Sequence, residues 1–252
     1  MKKQILLLIT LFSAFQLLAT PAQDNVIKAS EAYKKNDFAQ AILLYQQVLE
    51  ESKEHAPEVY FNLGNAYYKV TDYPNAILNY ERATKLAPAD EDILFNLSLA
   101  NQKIEDHIEP VPELFYIRWF KGIRNLGDQD VWAILFLVVF SAAFGMLMLY
   151  FQANSSSKKR LGFYSSLGLF VFSAFVLTLA FSMHLKQSNH NEAIVFSGSV
   201  SVKSSPVEAG TGLFVIHAGT KVKITDELGD WLRIRIADGN EGWILSSDLE
   251  RI

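Results

Sequence analysis

Three lysines at regular intervals are the side chains best spaced to do chemistry in this chain. Lys34, Lys69 and Lys103 recur about every 34 to 35 residues, so on a structure repeating with that period their ammonium groups line up. Such a ladder suits capture of an acidic segment or a terminal carboxylate through charge-assisted hydrogen bonds. The other reactive types are dispersed. His55, His107, His184, His190 and His217 fall at no metal-ligand spacing. Cysteine is absent, which excludes disulfides, thiolate nucleophiles, Cys-ligated zinc and lipoprotein acylation. No phosphate-cradling glycine loop, serine–histidine arrangement or paired carboxylates stand out. The expectation is a binding protein, not an enzyme, with no cofactor and no metal site.

The lysines sit on a longer pattern. Phe61-Asn62-Leu63 returns as Phe95-Asn96-Leu97, and Ala41-Ile42…Tyr45 returns as Ala76-Ile77…Tyr80. A period near 34 in helical sequence marks stacked helix-turn-helix units, which form partner-binding surfaces. Residues 24–106 read as five amphipathic helices, at 24–35, 38–51, 57–70, 73–86 and 91–106. Pro57 and Pro88 fall at helix starts or connectors, and Asp37 and Asp72 fall in the turns within pairs. The set Tyr60, Leu63, Gly64, Tyr67, Ala76, Tyr80, Ala83 and Pro88 closely resembles the tetratricopeptide pattern, in which small residues let two helices approach. The first unit departs from it, with Ala29 at the glycine position and Val48 at a usual alanine, and the third has only its first helix, which reads as a cap. The concave face of such a stack would carry Tyr33, Lys34, Phe61, Asn65, Tyr68, Lys69, Phe95, Gln102 and Lys103. Specific carboxylate clamping is weakened by Ser30 and Leu99 at positions where clamp-type repeats use polar amides, which leaves general peptide or protein binding as the expectation.

Apolar sequence is concentrated at two places. Met1-Lys2-Lys3 followed by an apolar run to about Leu18 and Ala19-Thr20-Pro21-Ala22 has the form of a signal peptide over 1–22. Residues 131–151 and 161–185 are then free of Asp, Glu, Lys and Arg, long enough to cross a hydrocarbon core of about 30 Å. The glycines and serines Gly145, Ser165, Ser166, Gly168 and Ser173 allow close contact between the two helices. Lys158, Lys159 and Arg160 lie in their connection with no acid beside them, which puts that turn in the cytoplasm and both flanking regions outside it. Arg118, Lys121 and Arg124 precede the first span and pull the other way. Phe115, Trp119, Ile123 and Leu126 share one helical face with the cations largely off it, the pattern of an interfacial helix over 110–130 lying among lipid headgroups.

After a polar linker, residues 193–250 alternate apolar and polar positions between short turns, as expected of a small β-barrel. Gly219-Thr220, Gly229-Asp230-Trp231 and Gly242-Trp243-Ile244 resemble, in that order, bacterial SH3 domains. Gly239 and Gly242 suit tight turns or close backbone approach. Trp243 is expected at the core or rim where the last strand closes the barrel, and Trp231 is balanced between core and partial exposure; both are candidate surface ligand contacts.

The chain therefore reads as a multidomain membrane protein: an all-α tetratricopeptide array, a transmembrane helical hairpin and a small all-β SH3-like barrel. The order of parts resembles BatE-type proteins of the Bat aerotolerance operon, over nearly the full length. That resemblance implies an inner-membrane scaffold with its soluble modules in the periplasm. Its partners would be membrane proteins with von Willebrand A domains and, indirectly, a MoxR-type ATPase, in a complex linked to oxidative-stress tolerance. The alternative is a cell-wall sensor whose barrel binds peptidoglycan. Net charge is −4 with no large basic block, so nucleic acid is not expected as a partner.

Overall fold

A computed structural model describes residues 21–51, 56–188 and 190–252. The expected signal segment 1–22 lies outside them apart from its last two residues, as does His55. The chain divides into two compact units, residues 1–55 and 56–252.

The first unit is a helical pair, α1 (Pro21–Lys34) and α2 (Phe38–Glu51). Ala29, Ala32, Ala41, Tyr45 and Val48 are buried within it. The turn follows from local chemistry. Asn36 takes a left-handed conformation (φ 62°), and the Asp37 amide reaches back to the Ala32 carbonyl at 2.9 Å. This is the six-to-one bond of a Schellman ending. Asp37 then accepts from the Gln40 amide at 3.1 Å and starts the next helix.

The second unit opens with the same device, 35 residues on. Helix α3 (Pro57–Lys69) ends where Thr71 goes left-handed (φ 63°) and the Asp72 amide bonds to the Tyr67 carbonyl at 3.0 Å. Asp72 caps α4 (Tyr73–Leu86) by accepting from the Asn75 amide. Gly64 is required where the pair crosses, since a Cβ there would sit 2.7 Å from the Tyr80 ring. Helix α5 (Glu91–Asn101) follows, capped by Asp90, and ends five residues before the expected 106. The reason is tertiary: residues 104–111 leave the helix and lie along the barrel.

Helix α6 (Phe115–Arg124) leads into α7 (Gln129–Gln152) and α8 (Ser156–Gln187). The last two have 24 and 32 residues, long and apolar enough to cross a membrane. Only residues 153–155 connect them, so Lys158, Lys159 and Arg160 belong to the first turns of α8 and not to a loop. The pair approaches tightly at Gly162, where a Cβ would meet the Tyr150 amide nitrogen at 2.8 Å. Gly145 and Gly168, expected at such a contact, meet nothing, whereas Ser166 and Ser173 are buried. Phe170 packs edge-on between Phe140 and Phe144 across the pair.

The last part is an antiparallel sheet of β1 (Glu192–Val195), β2 (Ser199–Lys203), β3 (Gly212–His217), β4 (Lys221–Leu228), β5 (Trp231–Arg235), β6 (Glu241–Leu245) and β7 (Leu249–Arg251). The strand order is β3-β2-β6-β5-β4-β1-β7. Alternation puts Val200, Val202, Val222, Ile224, Leu232, Ile234 and Ile244 into one core. Gly242 is the close approach its position suggested, with Val202 Cγ1 2.5 Å from a Cβ built there, and Gly239 (φ 94°) turns between β5 and β6.

Candidate functional site

Four of the nine expected groove residues, Phe61, Asn65, Tyr68 and Lys69, lie on α3, and their surroundings differ. Phe61 packs on the Tyr80 ring at 6.0 Å and Tyr68 edge-on against Tyr73 at 5.5 Å, so both are partly buried by their own unit. Asn65 is committed internally: its Oδ1 accepts from Tyr80 Oη and from Asn96 Nδ2, each at 2.8 Å. It joins α3, α4 and α5, and only its amide nitrogen can donate to a ligand. Lys69 is exposed. Phe95, on α5, is 62% exposed, a large apolar side chain offered to solvent beside the Asn65–Asn96 bond. Gln102 and Lys103 are exposed, but α5 has ended before them, so Lys103 is not the helical counterpart of Lys69. In the first unit, Tyr33 stacks edge-on against Phe38 at 5.2 Å, as Tyr68 does against Tyr73, and Lys34 is exposed.

On the barrel, strand register decides the tryptophans. Leu232, Ile234, Gly242 and Ile244 point inward, so Trp231 and Trp243 stand partly exposed on the outer face. Trp243 pairs with Arg233 on β5 and Lys203 on β2, where β6 joins those two strands. Lys203 Nζ lies 5.4 Å over the Trp231 ring, a cation–π contact. Glu241 neutralises Arg233 (2.9 Å) and Arg235 on the same face.

The feature with no signal in the sequence is the junction between repeat and barrel. Ile77 of α4, with Ile104 and Leu97, packs against Ile194, Phe196 and Ile252 of the barrel. Gly219 (φ 93°) faces this contact so tightly that a Cβ would fall 2.4 Å from Ile104 Cγ2. Charged groups rim it: Lys221 binds Glu81 (2.8 Å) and Glu192 (2.9 Å), Arg82 binds Glu250 (2.9 Å), and Lys85 donates to the Ile252 carbonyl (2.9 Å). Each partly exposed pair contributes at most about 1 kcal/mol, so the apolar cluster dominates. Next to it, Asp106 accepts from the His217 amide (2.7 Å), His217 Nδ1 (2.8 Å) and Thr220 Oγ1 (2.6 Å). Burial pushes the Asp106 carboxyl up, but these bonds outweigh it and hold it below its ordinary range. The bond to Asp106 raises His217, helped by Glu105 at 3.5 Å. Because Thr220 donates to the acid and not to the imidazole, the trio is a latch without a nucleophile. Ile108 adds to the barrel core, and the Val111 amide bonds to the Ala237 carbonyl at 3.0 Å, so the strap 104–111 continues onto the barrel.

Comparison with known families agrees with this division. The tetratricopeptide repeat matches residues 57–90, and the bacterial SH3 domain matches residues 198–250. No curated protein matches the chain. The chain thus joins a tetratricopeptide repeat and a bacterial SH3 domain, both typically non-catalytic interaction modules, through two helices able to cross a membrane.

Proposed function

We propose that this protein is a membrane-anchored scaffold of the BatE type, with both modules on the periplasmic side of the inner membrane. Its repeat receives a segment of a membrane protein with a von Willebrand A domain. A MoxR-type ATPase acts with that assembly indirectly, and any role in oxidative-stress tolerance runs through assembly, since no thiol is present. The observation that carries this reading is the packed junction of the two modules at one end of the helical pair. That end is marked by bonds from Arg124 to Ser182 (3.4 Å) and between His184 and Gln129 (3.3 Å). Lys158, Lys159 and Arg160 lie at the opposite end, which by the positive-inside rule faces the cytoplasm.

The test is recovery of partners from native membranes in mild detergent with tagged full-length protein. Deleting residues 24–106 would also strip the barrel of its packing, so Phe95→Ala with Lys69→Glu is the sharper variant. Recovery of von Willebrand A-domain proteins by the native chain, and its loss in the variant, is the expected result. Recovery that the variant leaves unchanged removes the groove from the proposal.

A second reading is favoured by the barrel face, where Trp231 and Lys203 border a cavity of about 230 Å³ with Ser199, Ser201 and Leu245. Peptidoglycan is the ligand in that reading. Retention of the full chain on isolated cell wall, reduced by Trp231→Ala, supports it, and clean flow-through ends it.

A further inference from the structure

We propose that Arg124 and Lys186 form a binding site for the phosphate of an anionic phospholipid, which rests on the reading of α7 and α8 as membrane spans. Arg124 is the last residue of α6, and its backbone is fixed because Trp132 Nε1 donates to its carbonyl at 2.8 Å. Its guanidinium donates to Ser182 Oγ (3.4 Å) and Asn125 Oδ1 (3.2 Å and 3.3 Å), all neutral acceptors. Ser182 and Lys186 stand one turn apart on α8 and so share a face, and the charge of Arg124 acts on Lys186.

The neighbouring acids are already taken. The charges of Arg124 and Lys221 both act on Lys186 at this corner, with Glu192 and Glu81 as the acids among them. Lys221 binds both of those carboxylates, and Glu113, the acid whose charge acts on Arg124, is paired with Lys121. Among the described residues neither Arg124 nor Lys186 has a carboxylate within ion-pair distance. Both are partly buried, where an unmatched charge is costly. An anion placed between them removes that cost.

The surroundings identify the anion as a headgroup. Phe120 and Ile123 of α6 pack on Trp132, Val176 and Leu179 of the spans, so the helix is tied to their ends. Its remaining aromatics face outward, with Phe115 77% and Trp119 64% exposed. Aromatic rings and cations together at the ends of spans mark the headgroup layer. Two phosphate-directed cations at that depth meet lipid before they meet a soluble anion.

The experiment uses the purified full-length protein in a zwitterionic detergent, with phosphatidylglycerol or phosphatidylcholine added. Bound lipid is counted by native mass spectrometry. The native chain should prefer phosphatidylglycerol, and Arg124→Gln and Lys186→Gln should each lower that preference roughly fivefold. Lys186→Arg should keep it. An unchanged preference in the double variant overturns the site. So does displacement of the lipid by an equal concentration of glycerol phosphate, which would make the site one for soluble anions. Resistance to carbonate extraction is measured alongside: retention of all variants keeps the membrane reading whatever the lipid result, and extraction of the native chain removes both.

Discussion

Gly219 turns between β3 and β4 at φ 93°, a conformation side chains rarely adopt, and it does so against Ile104. Gly219→Ala therefore meets backbone strain and a clash together, and about 1–3 kcal/mol of stability should be lost. Chemical denaturation of the full chain in detergent measures this. A neutral result would mean that Ile104 withdraws freely and that the junction is not tightly packed. The neighbouring latch has a pH dependence whose sign follows from its two groups. His217 is raised when docked, so its contribution is complete below its ordinary value of about 6.5 and fades as pH climbs through the raised one. Asp106 is lowered, so its contribution is complete above about pH 3.9 and fades as pH falls through the lowered value. Hydrogen exchange of residues 104–111, corrected for intrinsic rates, should show more protection at pH 5.5 than at 8.5, and His217→Gln should flatten the difference. Sequence alone could name His217 but not pair it, because its acid lies 111 positions away.

The elements were legible because their signals are local. Left-handed Asn36 and Thr71 end two helices in the same way, and Asp37 and Asp72 begin the next two. Thr71 is the strained member, since its branched Cβ crowds the left-handed backbone. Thr71→Asn should stabilise the second repeat by roughly 0.5–1 kcal/mol. Thermal denaturation of the full chain followed by helical signal measures it, and a lowered midpoint would show that the Thr71 side chain contributes more than its strain costs. Where elements meet was less legible. Composition points to Ser166 and Ser173, which are buried, but not to Gly162, which makes a close approach, because the crossing point depends on how two cylinders are rotated. In the same way α5 stops at Asn101 although its apolar pattern runs on, since Ile104 and Asp106 are drawn to the barrel.

At the scale of the molecule, residues 56–252 form one compact unit whose two modules share a core at Ile77, Ile194 and Ile252. Ile77 is fully buried, and truncation to Ala should cost about 2–5 kcal/mol, part of it from the repeat and part from docking. The absence of cysteine allows the docking share to be read directly. Arg82→Cys with Glu250→Cys replaces an ion pair of 2.9 Å at the rim, and a short bifunctional thiol reagent should cross-link the pair in the full chain. Adding Ile77→Ala should reduce the cross-link several-fold, and a native background that never cross-links would refute the docking.

By itself the sequence determined the helical repeat, the two long apolar helices and the alternating strands, because each is written in a period of 34, an unbroken apolar run or a period of two. It also determined which residues were available for binding. Only the tertiary structure decided which of them are spent internally. Asn65 is consumed by Tyr80 and Asn96, and Trp243 is turned outward by strand register. Lys103 is released from the helix by the strap. The junction joins distant residues through apolar contact and through side-chain hydrogen bonds between positions 111 to 169 apart. Such contacts leave no period in the chain, since each depends on where whole elements come to rest.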